Sequence, residues 1–95
     1  MVFAFDYDGT FTADPELIGS WARQAHARGH MVVCCTNRQL SQPIPKEAAL
    51  NFDAVLYAGD HPKRKMALEA GLVIDLWLDD LPETIGSALL VRGPA

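Results

Sequence analysis

Residues Val2 to Thr10 read Val-Phe-Ala-Phe-Asp-Tyr-Asp-Gly-Thr, and this stretch decides how the rest of the chain is interpreted. Its four leading apolar residues predict a buried β-strand that ends at Asp6. Beyond the strand, Gly9 allows a turn that can bring the carboxylates of Asp6 and Asp8 toward one centre. Close carboxylates repel each other unless a cation lies between them, and oxygen ligands suit Mg²⁺. The stretch therefore predicts a strand that ends in a divalent-metal site.

The remaining sequence alternates between strand-like and helix-like segments. Short apolar runs predict strands, whereas helical spacing of apolar side chains between Gly and Pro residues predicts helices. After the first strand we expect a helix over 14–29, a strand over 31–35, a short helix from Pro45, a strand over 54–57, a helix over 63–71, a strand over 73–78, a helical turn over 81–85 and a strand over 88–91. Because strand–helix–strand units form right-handed parallel crossovers, the expected fold is α/β with a parallel sheet.

Several side chains carry more specific predictions. Asp14 and Asp60 precede helices and are predicted to cap them. Trp21 belongs to an apolar helical stripe that should pack on the sheet, so it is expected in the core. Cys34 and Cys35 are adjacent and have no further cysteine to pair with. We expect them to be buried thiols on opposite faces of the sheet.

The composition indicates one soluble domain over residues 1–95. Of the 95 residues 49% are hydrophobic, and no break in composition marks a second domain. The apolar runs are far shorter than the ~20 residues that span a bilayer, so a cytoplasmic protein without membrane contact is expected. The net charge of −4 argues against bulk electrostatic binding of a nucleic-acid duplex.

Polar residues follow the ends of different apolar segments. Asp6 and Thr36 each close a predicted strand, and the pair Asp79-Asp80 closes another. In open parallel sheets ligands bind beyond the carboxyl ends of the strands, where these residues are expected to meet. Asp75 lies early in its strand and is expected at the opposite edge of the sheet.

The predicted helix over 63–71 begins with Lys63-Arg64-Lys65. Lysine at a helix N-terminus is unfavourable unless an anion lies nearby, because the helix dipole is positive there. Lys63 is favoured as the residue that faces such an anion, and Lys65 is the alternative. Arg64 is expected to point to solvent.

The segment Asp6-Tyr7-Asp8-Gly9-Thr10 resembles the first motif of the haloacid dehalogenase (HAD) superfamily, which is Asp-x-Asp-x-Thr after a short apolar strand. Thr36, a lysine at the start of helix 63–71 and the pair Asp79-Asp80 resemble its second, third and fourth motifs, in the same order. The resemblance covers nearly the whole chain. It implies a three-layer, Rossmann-like HAD fold with helices on both faces of a five-stranded parallel sheet in the order 3-2-1-4-5.

Most members of this superfamily carry a cap domain at one of two insertion places. Here residues 11–13 occupy the first place and residues 58–61 the second, and neither segment is long enough to form a domain. The chain therefore resembles a minimal, capless member whose site is open.

The resemblance also implies roles for individual residues. Asp6 would be the nucleophile, Asp8 the general acid and base, and Lys63 the cation that bridges nucleophile and phosphate. Mg²⁺ would be held by the Asp6 carboxylate, the backbone carbonyl of Asp8 and Asp79, with Asp80 outside the direct ligands or bound through water; which of Asp79 and Asp80 is the direct ligand stays open. The residues implied to bind phosphate are Gly9, Thr36, Asn37, Arg38 and Lys65.

The expected function is a Mg²⁺-dependent phosphomonoester hydrolase that forms an aspartyl-phosphate. Superfamily members that cleave carbon–halogen bonds lack an acid at the position of Asp8, which favours a phosphatase. Two alternatives stay open: a phosphate-binding or regulatory module without turnover, and a phosphatase that processes nucleic-acid or nucleotide ends. The expected partner is a small phosphorylated substrate, with a nucleic-acid end as the alternative, and a second copy of the chain is a candidate for covering the open site.

Overall fold

The computed structural model describes residues 1–86, which form a parallel α/β fold. The strands are β1 (Val2–Phe5), β2 (Met31–Thr36), β3 (Ala54–Tyr57) and β4 (Leu76–Leu78), and the helices are α1 (Pro15–Ala27), α2 (Lys46–Ala49) and α3 (Lys63–Glu69), with 3₁₀ turns at Phe11–Ala13 and Pro82–Thr84. All neighbouring strands are parallel, in the order β3-β2-β1-β4. The predicted order is thus confirmed for four strands, and the fifth strand expected over 88–91 lies outside the described residues.

The register of the sheet places the ends of its central strands side by side. Phe5 of β1 lies opposite Cys34 of β2 and Leu78 of β4. One residue later, the backbone amide of Asp6 donates to the carbonyl of Leu78 at 2.9 Å. Asp6 and Asp79 therefore leave adjacent parallel strands at the same edge of the sheet.

Alternation of side chains along the strands divides the interior into two cores. Phe5 and Cys34 point to the face that is covered by α1 and α2. Ala4 and Cys35 point to the other face, where Ala67 of α3 packs. The described residues thus form three layers, and the two cysteines are buried free thiols on opposite faces, as predicted.

Helix α1 begins where the sequence predicts, but it packs differently. Asp14 caps it, because its carboxylate accepts a hydrogen bond from the Leu17 amide at 3.1 Å. The buried face of α1 consists mainly of small residues, among them Ala22 and Ala25. Trp21 is 45% exposed, so its predicted core position is wrong. Trp21 instead lines an apolar groove of about 270 Å³, together with residues of β1 and β4.

The start of α3 also departs from the prediction. Pro62 is its N-cap residue, no side chain caps it, and Asp60 is exposed. The prediction that Asp60 caps this helix is therefore wrong. Arg64 does not simply point to solvent, because it is half-buried with its guanidinium 5.6 Å from the centre of the Trp77 ring.

Strand β4 is shorter than expected, since it begins at Leu76 rather than at residue 73. Before it, Asp75 is fixed to the first strand by two hydrogen bonds. Its amide donates to the Val2 carbonyl at 2.8 Å, and its carboxylate accepts from the Val2 amide at 2.7 Å. Asp75 therefore lies at the amino end of β1, on the opposite edge from Asp6, as the sequence predicts.

Candidate active site

Four polar residues from separate elements meet at the carboxyl edge of the sheet. Asp6 follows β1 and Asp79 follows β4, while Thr36 is the last residue of β2 and Lys63 the first of α3. The central strands pair in register, so their ends bring these side chains together without any long loop. This is the edge at which open parallel sheets bind ligands.

Lys63 lies between two of the carboxylates. Its ammonium donates to Asp6 Oδ1 at 2.8 Å and to Asp79 Oδ2 at 2.6 Å. Lys63 is only 2% exposed and Asp6 only 7%, so these charges are held out of water. A buried ammonium is stable only with such partners, which also explains a lysine in the first turn of a helix. Of the two candidate lysines it is Lys63 that reaches the acids, whereas Lys65 is exposed.

The ionisation of this group follows from burial and pairing together. Burial raises the pKa of Asp6 to about 6, although the Lys63 ammonium acts in the opposite direction. Burial would lower the pKa of Lys63, but its ion pairs with Asp6 and Asp79 outweigh burial and raise that pKa above its ordinary value. Lys63 is therefore a cation at neutral pH, and Asp6 is an ionised carboxylate there.

Asp6, Asp79 and Asp80 form an acidic cluster. One oxygen from each carboxylate lies within 4.8 Å of the others. The Thr10 hydroxyl lies between Asp6 and Asp80, 3.2 Å from Asp6 Oδ2 and 3.1 Å from Asp80 Oδ1. A site built only from oxygen donors suits a hard divalent cation, so the donor set fits Mg²⁺.

Gly9 lets the chain turn directly beside Asp80. Its φ of +82° is a conformation that residues with a side chain rarely adopt. A Cβ at this position would also lie 2.8 Å from Cγ of Asp80, which is closer than atoms in contact can come. The Gly9 amide donates to Thr12 Oγ1 at 2.9 Å and so is already engaged within the turn. This geometry gives Gly9 a conformational role, and its contact with phosphate stays a prediction.

Asp8 points away from the acidic cluster. Its carboxylate forms a bidentate ion pair with Arg38, with Nε 2.9 Å from Oδ2 and Nη2 3.0 Å from Oδ1. These hydrogen bonds lower the pKa of Asp8 below its ordinary value. The side chains of Asp6 and Asp8 therefore have different partners, since Asp6 pairs with Lys63 and Asp8 with Arg38.

The segment after β2 forms another wall of the site. Thr36 is 1% exposed, and its hydroxyl oxygen accepts from the Arg38 amide at 3.1 Å. The Asn37 amide group donates to the carbonyls of Gly59 and His61 at 2.8 and 3.1 Å. Asn37 thus fixes the loop that leads into α3, so its side-chain donors are used in positioning this loop.

These residues surround a cavity of about 290 Å³ that opens to solvent. Its volume suits a phosphate group and a small leaving group rather than a large metabolite held entirely inside. Gly9 and Lys65, both predicted to bind phosphate, do not line it. Its lining residues are Asp6, Asp8, Thr36, Asn37, Arg38, Gln42, Lys63, Asp79, Leu81 and Thr84.

Several contacts and residues of the site have no signal in the sequence. Thr10 belongs to the Asp-x-Asp-x-Thr motif, but the motif does not predict that the Thr10 hydroxyl contacts Asp6 and Asp80. Gln42, Leu81 and Thr84 line the cavity from segments without a motif, so only the folded chain reveals them. The groove beside Trp21, in contrast, is lined by apolar side chains and offers no group for acid–base or metal chemistry.

Comparison with family models, with curated proteins and with solved structures finds no match to this chain. Within residues 1–86, no helix is both long enough and apolar enough to span a membrane.

Proposed function

We propose that this chain is a Mg²⁺-dependent phosphomonoester hydrolase of the HAD type that works through an aspartyl-phosphate. The observation that carries the proposal is the position of Lys63 between Asp6 and Asp79, at the edge of a cavity that Asp8 and Thr36 also line. A buried carboxylate beside a fixed cation can approach an anionic phosphate, which an isolated carboxylate would repel. We also propose that the four described strands belong to a HAD fold, on the basis of the four motifs.

In the first step, an oxygen of Asp6 forms a bond to phosphorus while the bond between phosphorus and the ester oxygen breaks. Asp8, which must first leave Arg38 and take up a proton, gives this proton to the leaving oxygen, which departs as an alcohol. Lys63 supports this step because its positive charge lies beside the attacking carboxylate and offsets the charge of the phosphoryl group.

In the second step, water attacks the phosphorus of the aspartyl-phosphate, and Asp8 takes the proton that the water gives up. Phosphate leaves and the Asp6 carboxylate is regenerated, so atoms and charges balance. Bound Mg²⁺ would be held by Asp6, Asp79 and Asp80 and would neutralise negative charge on the phosphoryl oxygens. Thr36 lines the same cavity and would donate its hydroxyl hydrogen to one of those oxygens.

The test is release of phosphate from p-nitrophenyl phosphate with Mg²⁺ and with EDTA. We expect turnover that depends on Mg²⁺, no turnover by Asp6→Asn, and a loss of ~10²–10⁴-fold for Asp8→Asn, the usual contribution of general acid–base catalysis. Asp60→Asn is the matched control, because Asp60 is exposed and does not line the cavity. Turnover by Asp6→Asn at the wild-type rate would contradict the proposal.

A second measurement tests the covalent step without relying on turnover. Beryllium fluoride binds to carboxylates that accept a phosphoryl group, and fluorine NMR detects the complex. We expect a Mg²⁺-dependent signal from the wild type that is lost in Asp6→Asn and kept in Asp60→Asn. A signal that persists in Asp6→Asn would assign the nucleophile to another residue.

A phosphate-binding module without turnover is the second candidate function. The bidentate ion pair favours this candidate function, because Arg38 engages both oxygens of the Asp8 carboxylate. Calorimetry with inorganic phosphate distinguishes the two, since the module would bind phosphate in the absence of any hydrolysis. A small phosphorylated compound stays the proposed substrate, and phosphorylated oligonucleotides assayed in parallel test the alternative of end processing.

A further inference from the structure

Arg38 and Asp8 are separated by 30 residues in the sequence and form a two-pronged contact at the mouth of the cavity. Nε donates to Oδ2 at 2.9 Å and Nη2 to Oδ1 at 3.0 Å, so each carboxylate oxygen has a guanidinium partner. This is the strongest geometry that an arginine and a carboxylate can form.

The guanidinium is held in place by more than Asp8. Its central carbon lies 4.9 Å from the centre of the Tyr7 ring, and Tyr7 is buried. Nη1 lies 3.5 and 3.4 Å from the carbonyl oxygens of Gln42 and Pro43. Arg38 would therefore stay at the mouth of the cavity, supported by an aromatic face and a loop, even if Asp8 turned away.

The proposed acid–base role of Asp8 requires that this pair opens. A general acid must place one of its carboxyl oxygens within hydrogen-bond reach of the leaving oxygen. Both oxygens of Asp8 contact Arg38 in the structure. At least one of these contacts must break in the reactive complex, which leaves guanidinium N–H groups facing the leaving group.

The energy needed for this exchange is small if another anion takes the place of Asp8. The Asp8 side chain is 56% exposed and that of Arg38 is 32% exposed, so both groups can exchange partners at the surface of the protein. A leaving group without charge would leave the guanidinium unpaired beside it. A leaving group with its own anion would restore the lost hydrogen bonds and free Asp8 at the same time.

We propose that Arg38 determines specificity by recognising a second anionic group on the leaving alcohol of the substrate, and that this contact releases Asp8 for proton transfer. This inference rests on the proposed phosphatase function and narrows its substrate class to phosphomonoesters with a carboxylate or a second phosphate a few bonds from the ester oxygen. Lys63 has a different role, because it contacts Asp6, the proposed nucleophile, and Asp79.

The test compares three phosphate esters that share a two-carbon alcohol: 2-hydroxyethyl phosphate, which is uncharged beyond the ester; 2-phosphoglycolate, which carries a carboxylate; and ethylene glycol bisphosphate, which carries a second phosphate. For the wild type with saturating Mg²⁺ we expect kcat/KM to be about 10- to 100-fold higher for the anionic esters, the range of a charge-assisted hydrogen bond. Comparison of the carboxylate with the second phosphate distinguishes the two sources of negative charge.

Variants assign the preference to Arg38. In Arg38→Gln the anionic and neutral esters should be hydrolysed with nearly equal kcat/KM, and Arg38→Lys should keep part of the preference. Arg28→Gln is the matched control, because it removes the same charge at the C-cap of α1 and should keep the wild-type preference. Circular dichroism checks the fold of each variant. The comparison of the three esters with the wild-type protein does not depend on whether any variant folds.

Two results would overturn the inference while leaving the phosphatase function intact. One is a wild type that hydrolyses all three esters with similar kcat/KM. The other is an equal loss for all three esters in Arg38→Gln, which would place Arg38 on the transferred phosphoryl group instead. Failure of the wild type to release phosphate from any ester would overturn the phosphatase function, and this inference with it.

Discussion

Lys63 Nζ lies 2.6 Å from Oδ2 of Asp79, and both side chains are almost completely buried, with 3% and 2% of their surface exposed. This pair fixes the first turn of α3 to the end of β4. The same ammonium also reaches Asp6, so one cation offsets two buried negative charges. Lys63 thereby supplies the charge balance on which the proposed chemistry depends.

Replacement of Lys63 by methionine should strongly destabilise the metal-free protein. Removal of one partner leaves buried carboxylates without compensation, which typically costs about 3–5 kcal/mol. Lys65→Met is the matched control, because Lys65 is exposed and should change stability by only about 0.5 kcal/mol. Urea denaturation in EDTA measures both free energies of unfolding. Equal effects of the two substitutions would contradict the buried position of Lys63.

Replacement of Gly9 by alanine should weaken Mg²⁺ binding as well as stability. The new Cβ would meet the Asp80 carboxylate, so either the turn or the acid must move. The backbone strain alone costs on the order of 1–3 kcal/mol. Gly71→Ala is the control, since Gly71 has the same φ of +82° but nothing within 4 Å of a Cβ. Both variants should be less stable, and only Gly9→Ala should lose Mg²⁺ affinity in a calorimetric titration.

The stability of the metal-free protein should fall as the pH rises from about 4 to 6. The pKa of Asp6 is raised from 3.8 to about 6 in the folded state, so folding is favoured by the protonated form. Its contribution is fully present below pH 3.8 and is lost as the pH rises through 6, by on the order of 2–3 kcal/mol. Urea denaturation in EDTA across this range measures the trend.

Asp6→Asn serves as the control for this pH dependence, because the amide does not titrate. The lowered pKa values of Asp8 and Asp80 act in the opposite direction, and their contributions are lost as the pH falls below the ordinary value of 3.8. Of these three acids, Asp6 is therefore the one whose titration changes the stability between pH 4 and pH 6. An identical slope in the wild type and in Asp6→Asn would show that burial of Asp6 is not its cause.

Much of the sheet could be predicted because its strands are continuous apolar runs. Strands β1, β2 and β3 lie where the sequence places them, since both faces of a parallel sheet are covered and every position favours apolar residues. The positions of Asp6 and Asp79 could also be predicted, because each residue follows the end of an apolar run. Strand β4 begins later than predicted, because Asp75 is bound to Val2 before pairing with β1 starts.

Other features depend on contacts between distant parts of the chain. Trp21 fits the helical stripe of α1, but only the packing of the small residues Ala22 and Ala25 determines that the indole lies at the edge. The pairing of Arg38 with Asp8 depends on how the loop after β2 folds back over Tyr7. No local pattern encodes such a contact, so the sequence could identify Arg38 as a candidate but not its partner.

The last prediction concerns the two consecutive acids after β4. Asp79 is paired with Lys63 and also accepts from the Leu81 amide at 2.9 Å, whereas Asp80 is exposed and contacts Thr10. Both have an oxygen within 4.8 Å of Asp6. We therefore expect Asp79→Asn and Asp80→Asn each to weaken Mg²⁺ binding by at least about tenfold, the lower end of losses seen when a metal site loses a supporting group.

The two substitutions should differ in their effect on the metal-free protein. Asp79→Asn removes a buried partner of Lys63 and should lower the free energy of unfolding, whereas Asp80→Asn alters an exposed side chain and should change this free energy much less. Asp75→Asn, at the opposite edge of the sheet, is the control and should keep wild-type Mg²⁺ affinity. Calorimetric titration with Mg²⁺ and urea denaturation in EDTA give the two quantities separately. If Asp75→Asn weakened Mg²⁺ binding as much as Asp79→Asn does, the metal would not be bound at the carboxyl edge of the sheet.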